Sequence, residues 1–484
     1  MFLYNKKNIF YLFIFSLFLS LFFLILFNNI NSPNVLFGQV ESSYGLNHVP
    51  CCGLRTSFYS YFTILLSKIS DNLFLTRYMQ LFLLILSISF LSLEFFNLTK
   101  NKFFSACLFL SITLNIKFIK LSHLLYEDAL YLPFLITVLA LLIRVVNNFT
   151  FIGLGLLSLA CGILASIKLS GITIFPFLIL LLFFIYNKNI KLFSLLKFAF
   201  IPFILMLMLE NYLYFSNEEK RVRATIYAIS GKLPIISVKD NPNSKYPEIY
   251  NVIQKEGEMI RNAISQQPNF STKLFAQHIL TTAHQDFGLK SDWQESERFL
   301  NFFNENLPEN HTDYDKIILL QNIFVDSLKA NKIEFIKITM LTYFGFWNLT
   351  EIISQKNLTN FELFISNDFF NSLPEFVKLH FSWAVDKAKL QVPLSAPSLV
   401  ISFLLNSISI VLLLMSFFQI FIKKNKNGLY ILGLLMTIYT HLYYFSIALV
   451  NVAFARYFVT AWPMLMISLF LFLFLFNNRL KNNF

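Results

Sequence analysis

Unbroken apolar runs, separated by short polar connectors, fill most of the chain at 9–27, 72–93, 103–121, 129–143, 149–167, 169–186, 192–209, 399–422, 428–450 and 457–476. Most approach the ~20 residues that a helix needs to cross a bilayer core at about 1.5 Å per residue. Neither strand-like alternation nor a narrow one-faced stripe runs through them, so they read as helices apolar on all sides. The pattern predicts an all-α integral membrane protein with about 10 to 12 transmembrane helices.

Between the seventh and eighth runs lies the one long hydrophilic stretch, which divides the chain into an N-terminal membrane domain 1–215, a soluble domain 216–396 and a C-terminal membrane domain 397–484. Within it, 315–329 and 332–346 repeat apolar residues at steps of three and four, and Pro234, Pro242, Pro247, Pro268 and Pro308 mark turns. The soluble domain is therefore expected to be mostly helical.

The first connector, 28–71, is long for a link between two spans. At 54–69 it places Leu54, Phe58, Phe62, Leu65 and Ile69 on one helical face and Thr56, Ser60, Thr63 and Ser67 on the other, the pattern of a helix lying flat at the headgroups. A short eleventh span is the alternative. The N-terminal run follows Lys6 and Lys7 but lacks a small-residue cleavage site, so it reads as a retained helix.

Composition fits this picture: 56% of residues are hydrophobic and 14% charged, against roughly 25% charged in soluble domains. The net charge of +12 suggests nucleic acid only until it is located. The segment 216–396 carries −2 and the rest +14, so the basic excess belongs to the membrane part and no nucleic-acid partner is expected. Placing both termini in the cytoplasm puts thirteen basic residues of the short connectors and helix ends inside and seven outside. The soluble domain is then extracytoplasmic. An excess of Lys over Arg with abundant Asn, Ile and Phe is what an AT-rich genome produces, which makes a bacterial inner membrane the expected location.

Only six acids lie outside the soluble domain: Glu41, Asp71, Glu94, Glu127, Asp128 and Glu210. Acids at membrane depth are costly and need a reason. Glu41, Glu127 and Asp128 fall on the outer side, as do Arg55, Lys168 and Arg456, so carboxylates and cations could meet beneath the soluble domain. Asp71 reads as an N-cap. Glu127 and Asp128 also suit a helix start on macrodipole grounds alone, and Lys168 also suits a side chain snorkelling to the interface. His48, Cys51, Cys52 and His123 match no established zinc spacing. No Gly-rich phosphate loop occurs, and Gly153, Gly155 and Gly162 read as helix-packing positions.

Four places give the chain a likeness to a known family. They are Gly38-Gln39-Val40-Glu41-Ser42-Ser43-Tyr44 in the first outer loop, His123-Leu124-Leu125-Tyr126-Glu127-Asp128-Ala129-Leu130-Tyr131, the turn Gly162 to Gly171 around Lys168 with Pro176 beyond, and Ala455-Arg456-Tyr457-Phe458 with Pro463. In order and sidedness they resemble the polytopic GT-C class glycosyltransferases, which include protein O-mannosyltransferases and the aminoarabinose transferases of lipid A. The resemblance covers the membrane part and hardly touches the soluble domain. Where that family often has an Asp-Glu pair in the first loop, Val40 precedes Glu41 here.

The resemblance implies transfer of a sugar from a polyprenyl-phosphate donor to a lipid, glycan or protein acceptor on the outer face, with inversion at the anomeric carbon. It implies Glu41 as general base and Arg456, Lys168 and Arg55 as lipid-phosphate ligands. Glu127 and Asp128 would orient the acceptor or hold a divalent cation, the one cofactor that comes into question. An O-antigen polymerase or ligase and a lipid-glycan transport protein are the alternatives.

Overall fold

The computed structural model describes residues 14–25, 57–69, 74–115, 118–119, 122, 127–186, 191–215, 232–241, 244–265, 306–307, 313–347, 397–425, 427–450 and 455–483. Among them there is no strand. The helices are α1 (Ile14–Ile25), α2 (Ser57–Ser67), α3 (Phe74–Thr99), α4 (Lys102–Thr113), α5 (Glu127–Asn147), α6 (Phe151–Ile167), α7 (Ile174–Ile185) and α8 (Leu192–Phe215). They continue with α9 (Leu233–Ile236), α10 (Pro247–Ser265), α11 (Asp313–Ala330), α12 (Lys332–Gly345), α13 (Pro397–Phe417), α14 (Gly428–Val450) and α15 (Ala455–Asn483).

The protein is an all-α membrane protein. Six stretches are long and apolar enough to cross a bilayer: Leu75–Thr99, Glu127–Asn147, Leu192–Leu213, Ile401–Ile422, Gly428–Leu449 and Phe458–Arg479. Four further apolar helices, Ile14–Ile25, Lys102–Thr113, Phe151–Ile167 and Ser170–Ile185, are shorter than that. Two of the short ones have visible causes. A turn at Leu114 ends α4 inside the apolar run 103–121, and the run 169–186 opens as a 3₁₀ turn, Leu169–Thr173, before α7 begins.

The chain divides into two units. The first holds 1–219, 405–443 and 459–484. Within it α3 and α5 run parallel, since Arg144 Nη1 lies 3.7 Å from Glu94 Oε1 near the C-terminal end of both helices. The α6–α8 contact follows membrane logic, in which lipid offers no hydrophobic drive and small residues let backbones approach. Ser158 donates to the Ala199 carbonyl at 2.6 Å and accepts from the Phe203 amide at 3.1 Å. Pro202, between those two groups, has no N–H to give to the helix, and the Ser158 hydroxyl ties α6 to the backbone on both sides of it. One turn on, a Cβ at Gly162 would come within 2.7 Å of Met206, which fixes that position as glycine.

Helix α2 shows which of its two faces is packed. Tyr59, Ser60, Thr63 and Leu66 are buried, whereas Tyr61, Leu65 and Ile69 are exposed. The hydroxyl-bearing face thus packs against α3, α6 and α8, and the apolar face points outward. Hydroxyls taken inside need partners and find carbonyls, as Thr63 does with Ser60 at 2.8 Å. Tyr59 further donates to Gln80, which donates to the Ser122 carbonyl.

The second unit holds 220–404 and 444–458, so it takes in the first turns of α13 and the last turns of α14. Helices α11 and α12 correspond to the expected 315–329 and 332–346. Asn331, between them, is the hub: its carbonyl accepts from the Val238 and Lys239 amides, and its amide donates to Tyr250 and the Ser327 carbonyl. Ring stacking of Phe346 on Tyr444, with centroids 4.7 Å apart, joins the end of α12 to the last turns of α14.

Candidate functional site

The first turn of α5 carries Glu127 and Asp128, where the unpaired N–H groups and the macrodipole favour negative charge. The chain leaves α6 at Lys168, in extended conformation, and turns at once into the 3₁₀ segment. Gly171 makes that turn possible: its amide donates to the Lys168 carbonyl at 2.8 Å, and a Cβ there would lie 2.5 Å from the Leu164 carbonyl oxygen. The turn thus folds back onto the last turn of α6 and aims Lys168 at the start of α5.

There the Lys168 ammonium forms a hydrogen-bonded ion pair with Asp128 Oδ1 and lies 3.8 Å from Glu127 Oε1. All three side chains are buried. Lys168 Nζ also lies 5.7 Å from the centroid of the Tyr131 ring, one turn along α5. The Tyr131 hydroxyl comes close to Ser170 and Tyr439 without closing a well-formed hydrogen bond to either. The centre therefore combines two carboxylates, one ammonium and three hydroxyls contributed by α5, the Lys168 turn and α14.

Fully ionised, the trio carries a formal charge of −1. Such a cluster can accept a proton, hold a hydroxyl or ammonium group of a ligand, or fix a neighbouring loop. Two carboxylates alone are few for a divalent cation, and no group of three His, Cys, Asp or Glu side chains able to hold a metal occurs among the described residues.

Of the residues singled out from the sequence, the structure brings Glu127, Asp128 and Lys168 together. Glu41 and Arg55 lie outside the described residues. Arg456 is the second residue of α15, and its side chain also lies outside the description. His48, Cys51, Cys52, Asp71 and His123 likewise fall outside. Tyr131 and Ser170 lie inside the quoted stretches but had no role of their own there, and Tyr439 lies in none of them, so no signal in the sequence pointed to it.

The second unit contains a separate buried cation. Lys232 donates to the Ala448 carbonyl in the last turn of α14 and lies 5.8 Å from the Phe335 ring centroid. The carbonyl has no partner further along its own helix, so the lysine acts as a C-terminal cap. Burial pushes the Lys232 ammonium down to about 7.

No family model, curated protein or solved structure matches the chain.

Proposed function

We propose that the protein is a GT-C class glycosyltransferase with about ten spans and both termini in the cytoplasm of a bacterial inner membrane. It moves a sugar from a polyprenyl-phosphate donor to a lipid, glycan or protein acceptor on the outer face. The observation that carries this reading is the meeting of the Lys168 turn with Glu127 and Asp128. Two of the four stretches that resemble the family, 40 positions apart, contribute to one buried charged centre. Charges kept inside a helical membrane unit are costly and mark function more often than packing.

In this scheme the Glu41 carboxylate takes the acceptor's O–H proton as that oxygen attacks the anomeric carbon. The bond from that carbon to the phosphate oxygen breaks, and polyprenyl phosphate leaves with the electron pair. Arg456 and Arg55 stabilise the charge growing on the departing phosphate. Lys168 takes a different part from the phosphate contact that the sequence suggests. A phosphate brought to its ammonium would also face Asp128 and Glu127, so the geometry favours Lys168 as the group that holds those carboxylates toward the acceptor.

The competing transport reading needs charged or polar steps along a path through the bilayer. Between Asp128 and Arg144, about 24 Å along α5, the helix carries no charged residue. That absence favours chemistry at one end over passage along this helix.

The test is consumption of a panel of radiolabelled polyprenyl-phosphate sugars by purified protein in liposomes. The reading expects one donor to be turned over and the activity to vanish in Glu41→Gln and Arg456→Ala. Consumption of no donor, or full activity in Glu41→Gln, overturns it.

A further inference from the structure

Helix α12 presents the wrong side to water for a helix of a soluble domain. Its packed face carries Ile338, Thr339, Thr342 and Gly345, two of them hydroxyl-bearing. Its outer face carries Ile333 at 61% exposure, Ile336 at 59%, Met340 at 37% and Phe344 at 44%. Steps of three, four and four residues place these on one stripe. A helix in water buries its large apolar residues and turns threonines outward, and α12 does the opposite.

The stripe does not end in isolation. Phe344 makes an edge contact with Trp347 at 6.1 Å between centroids, and Trp347 in turn meets Phe403 at 6.2 Å. Ser402 donates to the Trp347 carbonyl at 3.1 Å. Phe403 lies in the first turns of the membrane span Ile401–Ile422, where Ile401, Phe403 and Leu404 form an exposed apolar side. The outer face of α12 therefore continues into the lipid-facing side of α13 through a tryptophan, the side chain most at home at a membrane–water boundary. Lys332 and the exposed Lys337 flank the stripe, as basic residues do beside anionic headgroups.

We infer that α12 is seated in the membrane interface, its Ile333–Phe344 stripe buried among lipid acyl chains next to α13. At 14 residues, about 21 Å, it is too short to span and long enough to lie in the plane. Helix α2 of the first unit shows the same inverted faces, with Leu65 and Ile69 outward and Ser60 and Thr63 inward. The consequence is that the hydrophilic segment is bound to the bilayer surface by a helix of its own, independently of any proposed chemistry.

The wild-type protein tests this without substitution. It is reconstituted in vesicles of phosphatidylethanolamine and phosphatidylglycerol that contain a phospholipid with a diazirine on its acyl chain, irradiated and mapped by mass spectrometry. The inference expects adducts on Ile333, Ile336, Met340 and Phe344 at a level comparable with Leu404, about tenfold above the water-exposed side of α11 around Lys329. Labelling of Leu404 with α12 no higher than α11 overturns it, because the stripe is then covered by protein or bathed in water.

Discussion

Lys168, where the chain leaves α6, forms an ion pair with Asp128 in the first turn of α5, with Glu127 Oε1 3.8 Å from the same ammonium. The pair joins the start of one membrane helix to the end of the next. Its counterpart, Arg144 with Glu94, sits at the other end of α5, so charge is confined to the two ends of a helix whose interior is apolar.

Removing one partner of a buried pair leaves a buried charge without its counter-ion, which costs about 3 to 5 kcal/mol. Lys168→Met and Asp128→Asn are each expected to lower the thermal unfolding temperature of the detergent-solubilised protein markedly. The double variant should lose clearly less than the sum, since no charge of the pair is then left over. Additive losses would show that the two side chains do not act as a pair.

Gly171→Ala tests the turn that aims Lys168. The added Cβ meets backbone, 2.5 Å from the Leu164 carbonyl oxygen, and backbone cannot swing aside. A loss above about 2 kcal/mol is expected. Gly155→Ala, where the neighbour is the Phe198 ring at 3.3 Å, should cost under about 1 kcal/mol, because a side chain can give way. Unfolding temperatures of the two variants side by side decide the comparison.

Ser158→Ala removes the hydroxyl that stands between the Ala199 carbonyl and the Phe203 amide at Pro202. Loss of two hydrogen bonds in an apolar setting predicts a destabilisation of about 1 to 2 kcal/mol. Ser158→Thr keeps the hydroxyl and separates its loss from any change in packing. Infrared amide bands or unfolding temperatures of the purified variants provide the check.

Much of this was legible in the sequence and part was not. Apolar runs marked the six helices that, among the described residues, are long enough to cross a bilayer, because length and composition alone specify such a span. The helices around 315–329 and 332–346 followed from their three-and-four periodicity. Glu127, Asp128 and Lys168 drew notice because charges are rare in the membrane part. Their pairing was not legible, since it depends on Gly171 folding the turn back onto α6. Nor was the Ser158 bridge, which requires the register of α6 against Pro202. The two faces of α2 were legible from the pattern; that the hydroxyl-bearing one packs against protein was not, because the pattern tells two faces apart and not what each of them meets.

Burial of Lys232 makes stability depend on pH. Its amine loses its proton near pH 7 in the folded protein and near the ordinary 10.5 when unfolded. Between those values the unfolded chain holds one more proton, so stability rises as pH rises from about 7 toward 10.5 and is flat in this contribution below 7. No charged partner offsets the burial among the described residues: Glu334 and Lys337 of α12 pair with each other, as do Asp326 and Lys329 of α11, and Arg261 of α10 donates to the Ile235 and Ser237 carbonyls. Unfolding temperatures from pH 6 to 10 should climb in the wild type relative to Lys232→Met. Parallel curves would contradict the assignment.

The central claim is that the charged centre at the start of α5 serves sugar transfer from a lipid phosphate. The most direct measurement is the single-turnover release of labelled sugar from the preferred polyprenyl-phosphate donor in liposomes, comparing wild type, Glu41→Gln and Asp128→Asn at matched folded fractions. The account predicts release by the wild type, none by Glu41→Gln, and a rate reduced on the order of a hundredfold in Asp128→Asn, the scale of losing one positioned group. Wild-type rates in both variants, or no release by the wild type from any such donor, would contradict it.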